Sequence, residues 1–254
     1  MSVYEIVFSP VGGTKKVSDI FIKSFCTDSN YIDLTERKTD FKEFEFSEDD
    51  ICIVSVPSYG GRVTGVAVSR LEQIKGNKAR TVLIVVYGNR AYEDTFTELQ
   101  DVLERSGFSC IAAVAAVAEH SIMHQFATGR PDSQDEAEIA SFAKKILSKM
   151  EQGTLPVSLK LPGNRPYREY GGVPMKPKSG KLCNQCGICA DKCPVGAIPV
   201  NLPSETDYGK CISCMRCTAI CPQNARNISK TLLTAGSMKM KKACSGHKIN
   251  ELFI

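Results

Sequence analysis

Two stretches of the sequence share one cysteine spacing: CNQCGICADKCP at residues 183–194 and CISCMRCTAICP at residues 211–222. Each stretch reads C-x2-C-x2-C-x3-C-P, and together they hold eight of the twelve cysteines in a chain of 254 residues. An iron–sulfur cubane needs four thiolates that converge on one small object, and a tight C-x2-C-x2-C loop can place three of them around three irons. The doubled spacing therefore predicts two four-thiolate metal sites.

This doubled run resembles the ligand run of bacterial two-cluster ferredoxins, position by position. In that family the fourth cysteine of each run points at the other cluster. The resemblance implies two [4Fe–4S] clusters with crossed ligands, one held by Cys183, Cys186, Cys189 and Cys221 and the other by Cys211, Cys214, Cys217 and Cys193.

Two other uses of these cysteines fit the sequence less well. A disulfide framework is disfavoured because the other four cysteines are scattered singly and no secretory signal is visible at the N-terminus. Zinc sites usually pair two C-x2-C units across a longer loop and do not need the C-x3-C-P element. We expect the scattered cysteines to be free thiols in a reducing cytoplasm: Cys26, Cys52, Cys110 and Cys244.

The composition is that of a soluble globular protein, with 43% hydrophobic and 24% charged residues. The longest apolar run, Ile111 to Ala118, is far shorter than a membrane span. We therefore expect a cytoplasmic protein that makes no contact with a membrane.

The charge is divided unevenly along the chain. Residues 1–174 carry 20 basic and 24 acidic side chains, whereas residues 175–254 carry 12 basic and 4 acidic ones. The basic part could attract the acidic part or meet the acidic surface of a redox partner protein. Nucleic acid is the other common partner of basic domains, but no known reader motif accompanies these charges, so we do not expect it.

Short apolar runs alternate with helical patterns through residues 1–150. This alternation predicts an α/β fold with a doubly wound, five-stranded parallel sheet. The predicted strands are Val3–Phe8, Tyr31–Leu34, Ile51–Val56, Thr81–Val86 and Ser109–Ala118, and the predicted helices follow Thr14 and cover Thr64–Ile74, Asp94–Glu104 and Asp135–Met150.

Three loops of unusual composition follow predicted strands: Ser9–Thr14, Pro57–Val63 and Tyr87–Tyr92. Ligands of such sheets bind beyond the carboxyl ends of the strands. The first loop joins a strand to a helix start through glycine and hydroxyl residues, which is a geometry suited to phosphate. Each loop alone could be only a tight turn with surface side chains, so the prediction of a ligand site depends on all three together.

Residues 1–150 resemble the flavodoxins, whose first loop commonly reads S-x-T-G-N-T. Ser9, Gly12 and Thr14 match that pattern, while Val11 and Gly13 depart from it. The resemblance implies that the first loop binds the phosphate of FMN and that the other two flank its isoalloxazine ring. The implied FMN-binding residues are Ser9, Val11, Gly12, Gly13, Thr14, Pro57, Ser58, Tyr59, Gly60, Gly61, Arg62, Gly88, Asn89, Arg90 and Tyr92.

Two histidines after the fifth predicted strand are candidate metal ligands. His120 and His124 have the i, i+4 spacing of a metal pair on a helix. No third ligand accompanies them, so we favour a loop near the edge of the flavin.

The sequence divides into four parts. Residues 1–152 form the predicted flavodoxin-like domain, and the linker 153–181 is rich in proline and glycine. Residues 182–230 form a small α+β ferredoxin domain with two clusters, and residues 231–254 form a basic tail. We expect the apolar end of that tail, Leu252–Ile254, to pack on the first domain more firmly than charge attraction could hold it.

The order of the parts resembles the EFR1-type flavodoxin–ferredoxin fusion proteins of anaerobic bacteria and archaea. The resemblance implies a cytoplasmic electron carrier that relays electrons between FMN and two [4Fe–4S] clusters and meets redox partner proteins, with a homodimer as an open alternative. An enzyme that reduces or oxidises a small molecule at the flavin is the second hypothesis. The sequence contains no second G-x-G-x-x-G unit and no Walker-type phosphate loop, which favours the carrier.

Overall fold

The computed structural model of the chain describes residues 1–156 and 158–254, and its largest element is a six-stranded sheet. The strands are β1 Val3–Val7, β2 Asn30–Asp33, β3 Ile51–Pro57, β4 Arg80–Tyr87, β5 Ser109–Val117, β6 Lys178–Ser179, β7 Arg226–Asn227 and β8 Glu251–Phe253. The helices are α1 Gly13–Phe25, α2 Gly65–Leu71, α3 Thr95–Arg105, α4 Ser133–Glu151, α5 Ile188–Asp191, α6 Arg216–Ala219 and α7 Lys230–Cys244, with a 3-10 turn at Phe41–Glu43.

The large sheet has the strand order β2-β1-β3-β4-β5-β8. Its first five strands are parallel, and the order 2-1-3-4-5 is that of flavodoxin-like folds. The predicted doubly wound sheet and its five strands are confirmed. The direction of the chain reverses beside β1, so the carboxyl ends of β1 and β3 border the crevice where ligands bind in such sheets.

The sixth strand corrects the prediction of a five-stranded, wholly parallel sheet. Strand β8 pairs antiparallel with β5, and Ala113 lies opposite Phe253 while Ala115 lies opposite Glu251. The apolar C-terminal end thus packs on the first domain as predicted, and it does so as a strand. It covers the edge of β5, whose main-chain groups would otherwise be unpaired.

Two helical layers cover the parallel strands. Side chains such as Phe8, Leu83 and Phe96 form the core on the side of α2 and α3. Val17 and Ile146 belong to the core on the other side, beneath α1 and α4. Both faces are apolar, which explains why the central strands read as nearly continuous hydrophobic runs.

Helix α4 begins two residues before its predicted start because of a capping box. The Asp132 carboxylate accepts hydrogen bonds from the main-chain N–H of Gln134 (2.9 Å) and Asp135 (3.1 Å). The Asp135 carboxylate in turn accepts from the N–H of Asp132 at 2.9 Å. These bonds satisfy N–H groups that have no partner within the helix.

The linker region lies against the first domain. The Asp94 carboxylate, at the start of α3, accepts hydrogen bonds from the main-chain N–H of Asn164 (2.8 Å) and Arg168 (2.7 Å). Within the described part of residues 153–181, the one helix or strand is the short strand β6. It pairs with β7 in a two-stranded antiparallel sheet beside the cysteine-rich region.

An apolar cluster joins the cysteine-rich region to the first domain. Met123 and Phe126 come from the loop after β5, Met175 from the linker, and Met215 and Ile228 from the cysteine-rich region. Ion pairs also cross this boundary, for example Lys192 with Glu36 at 3.2 Å. Exposed pairs of this kind contribute about 0–1 kcal/mol each, so the apolar contacts dominate the association.

Residues 231–254, which the sequence analysis treats as a basic tail, are folded. They contain nearly all of α7 and the whole of β8. None of the helices in the described residues is both long and apolar enough to cross a membrane.

Candidate cofactor sites

Four cysteines line a small cavity in the cysteine-rich region. They are Cys183, Cys186 and Cys189 from the first run and Cys221 from the second. The main-chain N–H of Ala225 donates to Sγ of Cys221 at 3.3 Å, an arrangement that stabilises a thiolate. The side chains present therefore fit the four-thiolate set that the resemblance implies for one cluster.

The other four cysteines line a second cavity. Cys193 comes from the first run, and it is joined there by Cys211, Cys214 and Cys217 from the second. The main-chain N–H of Ala197 donates to Sγ of Cys193 at 3.3 Å, which repeats the contact at Cys221. Burial raises the pKa of the Cys214 and Cys217 thiols to about 12. A coordinated metal ion deprotonates such thiols outright.

The two runs repeat their backbone conformation with an offset of 28 residues, from Cys183 to Cys211. Left-handed backbone occurs at three matched pairs of positions, two of them within the cysteine runs and one just after them. The pairs are Gln185 (φ 57°) with Ser213 (φ 55°), Gly187 (φ 79°) with Met215 (φ 63°), and Gly196 (φ 62°) with Asn224 (φ 48°).

The two histidines have separate partners. His120 Nδ1 accepts hydrogen bonds from the main-chain N–H of Ile122 (3.1 Å) and Met123 (3.2 Å). His124 Nδ1 lies 2.6 Å from a carboxylate oxygen of Glu119. Within residues 1–156 and 158–254, no group of three or more His, Cys, Asp or Glu side chains has the spacing of a single-ion site.

A third cavity, called the large cavity below, has a volume of about 650 Å³ and lies at the carboxyl ends of β1, β3 and β4. This volume is in the range of sites for small molecules and cofactors. Ten of the fifteen predicted FMN-binding residues line it: Ser9, Val11, Gly13, Thr14, Pro57, Ser58, Tyr59, Gly60, Gly88 and Arg90.

The first loop has the features of a phosphate cradle. Gly12 adopts left-handed backbone (φ 92°) as the residue before α1, and as a glycine it has no side chain to cap the helix. The Ser9 hydroxyl accepts a hydrogen bond from the main-chain N–H of Lys15 at 2.9 Å, which draws the loop around the helix start. The N-terminus of a 13-residue helix with glycines at its start suits an anion. Gly12 itself does not line the cavity, and its contribution is the backbone turn.

Four other predicted residues lie outside the cavity lining because their groups have partners elsewhere. Arg62 forms an ion pair with Glu98 at 2.7 Å. The Gly61 carbonyl accepts a hydrogen bond from the N–H of Asp94. The two remaining residues of this group, Asn89 and Tyr92, bind the C-terminal segment.

Asn89 and Tyr92, in the third loop, contact the C-terminal segment. The Asn89 side chain donates hydrogen bonds to the carbonyl oxygens of Cys244 (2.6 Å) and Gly246 (2.9 Å). The Tyr92 hydroxyl donates to Glu251 at 2.8 Å, and its ring packs edge-on against Tyr87. These side chains join α7 and β8 to the first domain.

One wall of the large cavity was not among the predicted site residues. Residues 172–175 of the linker, Ser213 and one face of α7 line it opposite the strand ends. The lining positions on α7 follow the i, i+3, i+4, i+7 pattern of a single helix face, which is a signal that the sequence contains. They are Leu232, Ala235, Gly236, Lys239, Met240 and Ala243.

The large cavity adjoins the second set of cysteines. Ser213 lines the large cavity, while its neighbour in sequence, Cys214, lines the cavity of the second set. The Ser213 hydroxyl donates to the Val173 carbonyl at 2.8 Å, which holds this junction in place. Tyr59 also lines the large cavity, and burial, together with the nearby Cys214 thiol, raises the pKa of its hydroxyl.

Residues 182–226 match a family model described as a 4Fe-4S dicluster domain. The chain has a 4Fe–4S ferredoxin-type domain. This match covers the ferredoxin-type domain alone. A comparison with curated proteins found no match to the chain.

Several solved structures resemble part of the chain at low identity. A flavodoxin of Streptococcus pneumoniae TIGR4 is 19% identical over 58% of this chain and 99% of its own length, with a TM-score of 0.42. Oxidised flavodoxin 1 of Bacillus cereus is 12% identical over 58% of this chain and 98% of its own, with a TM-score of 0.42. The flavodoxin-like assignment therefore rests on the strand order described above.

Proposed function

We propose that the protein carries electrons between FMN and two [4Fe–4S] clusters within one chain, as in a flavodoxin–ferredoxin fusion of the EFR1 type. The observation that carries this proposal is the junction at Ser213 and Cys214, where the large cavity meets the second set of cysteines. When bound, FMN exchanges electrons in pairs or singly, whereas each cluster carries one electron at a time.

The large cavity supports FMN as its ligand. The helix start at Gly13 and the Ser9 hydroxyl would hold the phosphate, and Tyr59 would lie beside the isoalloxazine ring. One phosphate-sized loop is present at the cavity, which favours FMN over a dinucleotide.

The order of transfer follows from the neighbours of each cysteine set. The cluster held by Cys193, Cys211, Cys214 and Cys217 would exchange electrons with the flavin. The cluster held by the first set would exchange them with a partner protein, since Cys186 is exposed at the surface. An acidic redox protein is the partner that the basic charge of residues 175–254 favours.

Rapid-mixing spectroscopy under anaerobic conditions tests this function. After the protein is mixed with a reductant, flavin and cluster absorbance should equilibrate at a rate independent of protein concentration. A rate proportional to protein concentration means that transfer occurs between molecules and rejects the relay. Purified protein should also contain about eight iron atoms and one FMN per chain, and zinc in place of iron would reject the cluster assignment.

A further inference from the structure

Each four-cysteine cavity is lined by one arginine. Arg226 lines the cavity of Cys183, Cys186, Cys189 and Cys221, and Arg216 lines the cavity of the other set. The 28-residue offset relates each arginine to an isoleucine: Ile198 is the counterpart of Arg226, and Ile188 is the counterpart of Arg216. Ile198 lines the cavity that contains Arg216, and Ile188 lines the cavity that contains Arg226. The repeat therefore places one cation and one aliphatic side chain at each cysteine set.

Arg226 is the more deeply buried of the two, with 1% of its surface exposed. Its Nη1 donates to the Thr206 hydroxyl at 2.8 Å, and its Nη2 donates to the carbonyl oxygens of Pro203 and Glu205. Its Nε is buried and has no hydrogen-bond partner. The other donors thus fix the guanidinium while one N–H group remains free beside the cysteines.

Arg216, at the second set, is half-buried. Its Nη1 donates to the Pro10 carbonyl, in the first loop of the large cavity, at 3.4 Å. Its Nε is also buried without a partner. In the described residues, neither Arg216 nor Arg226 forms an ion pair with a carboxylate.

A buried guanidinium without a counter-ion is costly, and a buried N–H group without an acceptor adds to that cost. The thiolates of the cysteine sets are the anions beside these side chains. A cubane held by four thiolates carries net negative charge, and its sulfur atoms accept hydrogen bonds. Occupied sites would therefore supply both the charge and the acceptor that each arginine lacks.

We propose that Arg226 and Arg216 each donate an Nε–H hydrogen bond to sulfur at one cluster and raise the reduction potential of that cluster. The proposal rests on the two clusters of the proposed function. Reduction adds an electron to the cluster, so a nearby positive charge and a donated hydrogen bond stabilise the reduced state more than the oxidised state. The Arg226 charge also reaches Cys217 of the second set, whose thiol pKa it lowers against the effect of burial, so each variant should most strongly shift the potential of the cluster to which its side chain donates the hydrogen bond.

Redox titration of the full chain, followed by EPR for each reduced cluster, tests the proposal. In Arg226→Met, which keeps the length of the side chain, the ratio of reduced to oxidised cluster at a fixed potential should fall at least about tenfold for one cluster, a shift of 59 mV. Arg216→Met should shift the other cluster in the same direction. The exposed Arg165, on the linker, provides the control variant Arg165→Met, in which both potentials should remain unchanged.

Unchanged potentials in the two cluster variants overturn the proposal, as do equal shifts of both clusters in each variant. Arg226→Lys keeps the charge and loses the planar donor, so its shift should be smaller than that of Arg226→Met. If Arg226→Met does not assemble clusters, the more exposed Arg216→Met decides the question. The mediators equilibrate each cluster with the electrode directly, so the EPR signals of the reduced clusters do not depend on electron transfer from the flavin. If electrons do not pass between flavin and clusters, the proposed relay is rejected. The cluster potentials can still be measured in that case, so the proposal for the two arginines is tested separately.

Discussion

The amide nitrogen of Asn89 lies 2.6 Å from the carbonyl oxygen of Cys244, at the last residue of α7. This hydrogen bond joins the loop after β4 to a helix end that is 155 residues away in sequence. Asn89 is buried and has left-handed backbone (φ 62°), a conformation that asparagine tolerates better than most residues. One side chain thus fixes the C-terminal helix to a loop of the large cavity.

Replacing Asn89 by glycine should loosen α7. Glycine keeps the left-handed backbone, so the change removes the two side-chain hydrogen bonds without strain. The loss should cost about 1–3 kcal/mol locally and speed amide exchange across α7 by about tenfold or more. Hydrogen–deuterium exchange measures this effect. Asn77→Gly is the control, since Asn77 is also left-handed but exposed, and normal exchange of α7 in Asn89→Gly would contradict the anchoring role.

A bulky residue at Gly236 should weaken FMN binding. A Cβ atom there would overlap the methyl group of Met175 and lie 2.8 Å from that of Met123, so a leucine must displace the ends of these two methionines, which also line the cavity. Leucine favours helix more than glycine does, so a loss of affinity cannot come from helix propensity. We expect the dissociation constant for FMN to rise about tenfold in Gly236→Leu, measured by fluorescence titration.

The matched control for that variant is Met238→Leu, because Met238 lies on α7 with 73% of its surface exposed. It should bind FMN as the unchanged protein does. If Gly236→Leu also binds normally, α7 does not contribute to the flavin site.

Gly12→Ala should reduce FMN affinity by about tenfold through the backbone, because left-handed φ costs a residue with a Cβ atom about 1–2 kcal/mol. Steric contact is not the cause, since a Cβ at Gly12 would meet no atom within 4 Å. Gly153→Ala imposes the same backbone penalty (φ 64°) away from the cavity and should leave binding unchanged. Equal affinities in both variants would show that the first loop does not hold the phosphate.

The crossed ligand sets predict matched effects among cysteine variants. Cys193→Ala should give the same spectroscopic defect as Cys211→Ala, and Cys221→Ala the same defect as Cys183→Ala. Each variant leaves one iron without its thiolate and exposes that cluster to oxidation. Iron analysis with EPR of the reduced proteins measures the loss, and Cys26→Ala is the control. Pairing within each run, so that Cys193→Ala resembles Cys183→Ala, would contradict crossed ligation.

The parts of the fold that were predictable from sequence depend on local patterns. The run from Ile51 to Val56 is apolar at nearly every position, as a strand covered on both faces must be, and the eight cysteines carry their spacing in sequence. The positions of Asn89 and Tyr92 depend instead on contacts with Cys244 and Glu251, which no local pattern encodes. The wall formed by α7 was missed because residues 231–254 were predicted only as a basic tail, although their apolar residues have helical spacing.

Strand β8 gives the protein a fixed order of assembly. It completes the sheet of the first domain, yet it follows both cysteine runs in the chain. During synthesis the first domain therefore keeps an open edge at β5 until the whole ferredoxin-type domain has left the ribosome, and such edges pair readily with other strands. Any delay in the synthesis of the ferredoxin-type domain therefore lengthens the time for which this edge is open to aggregation.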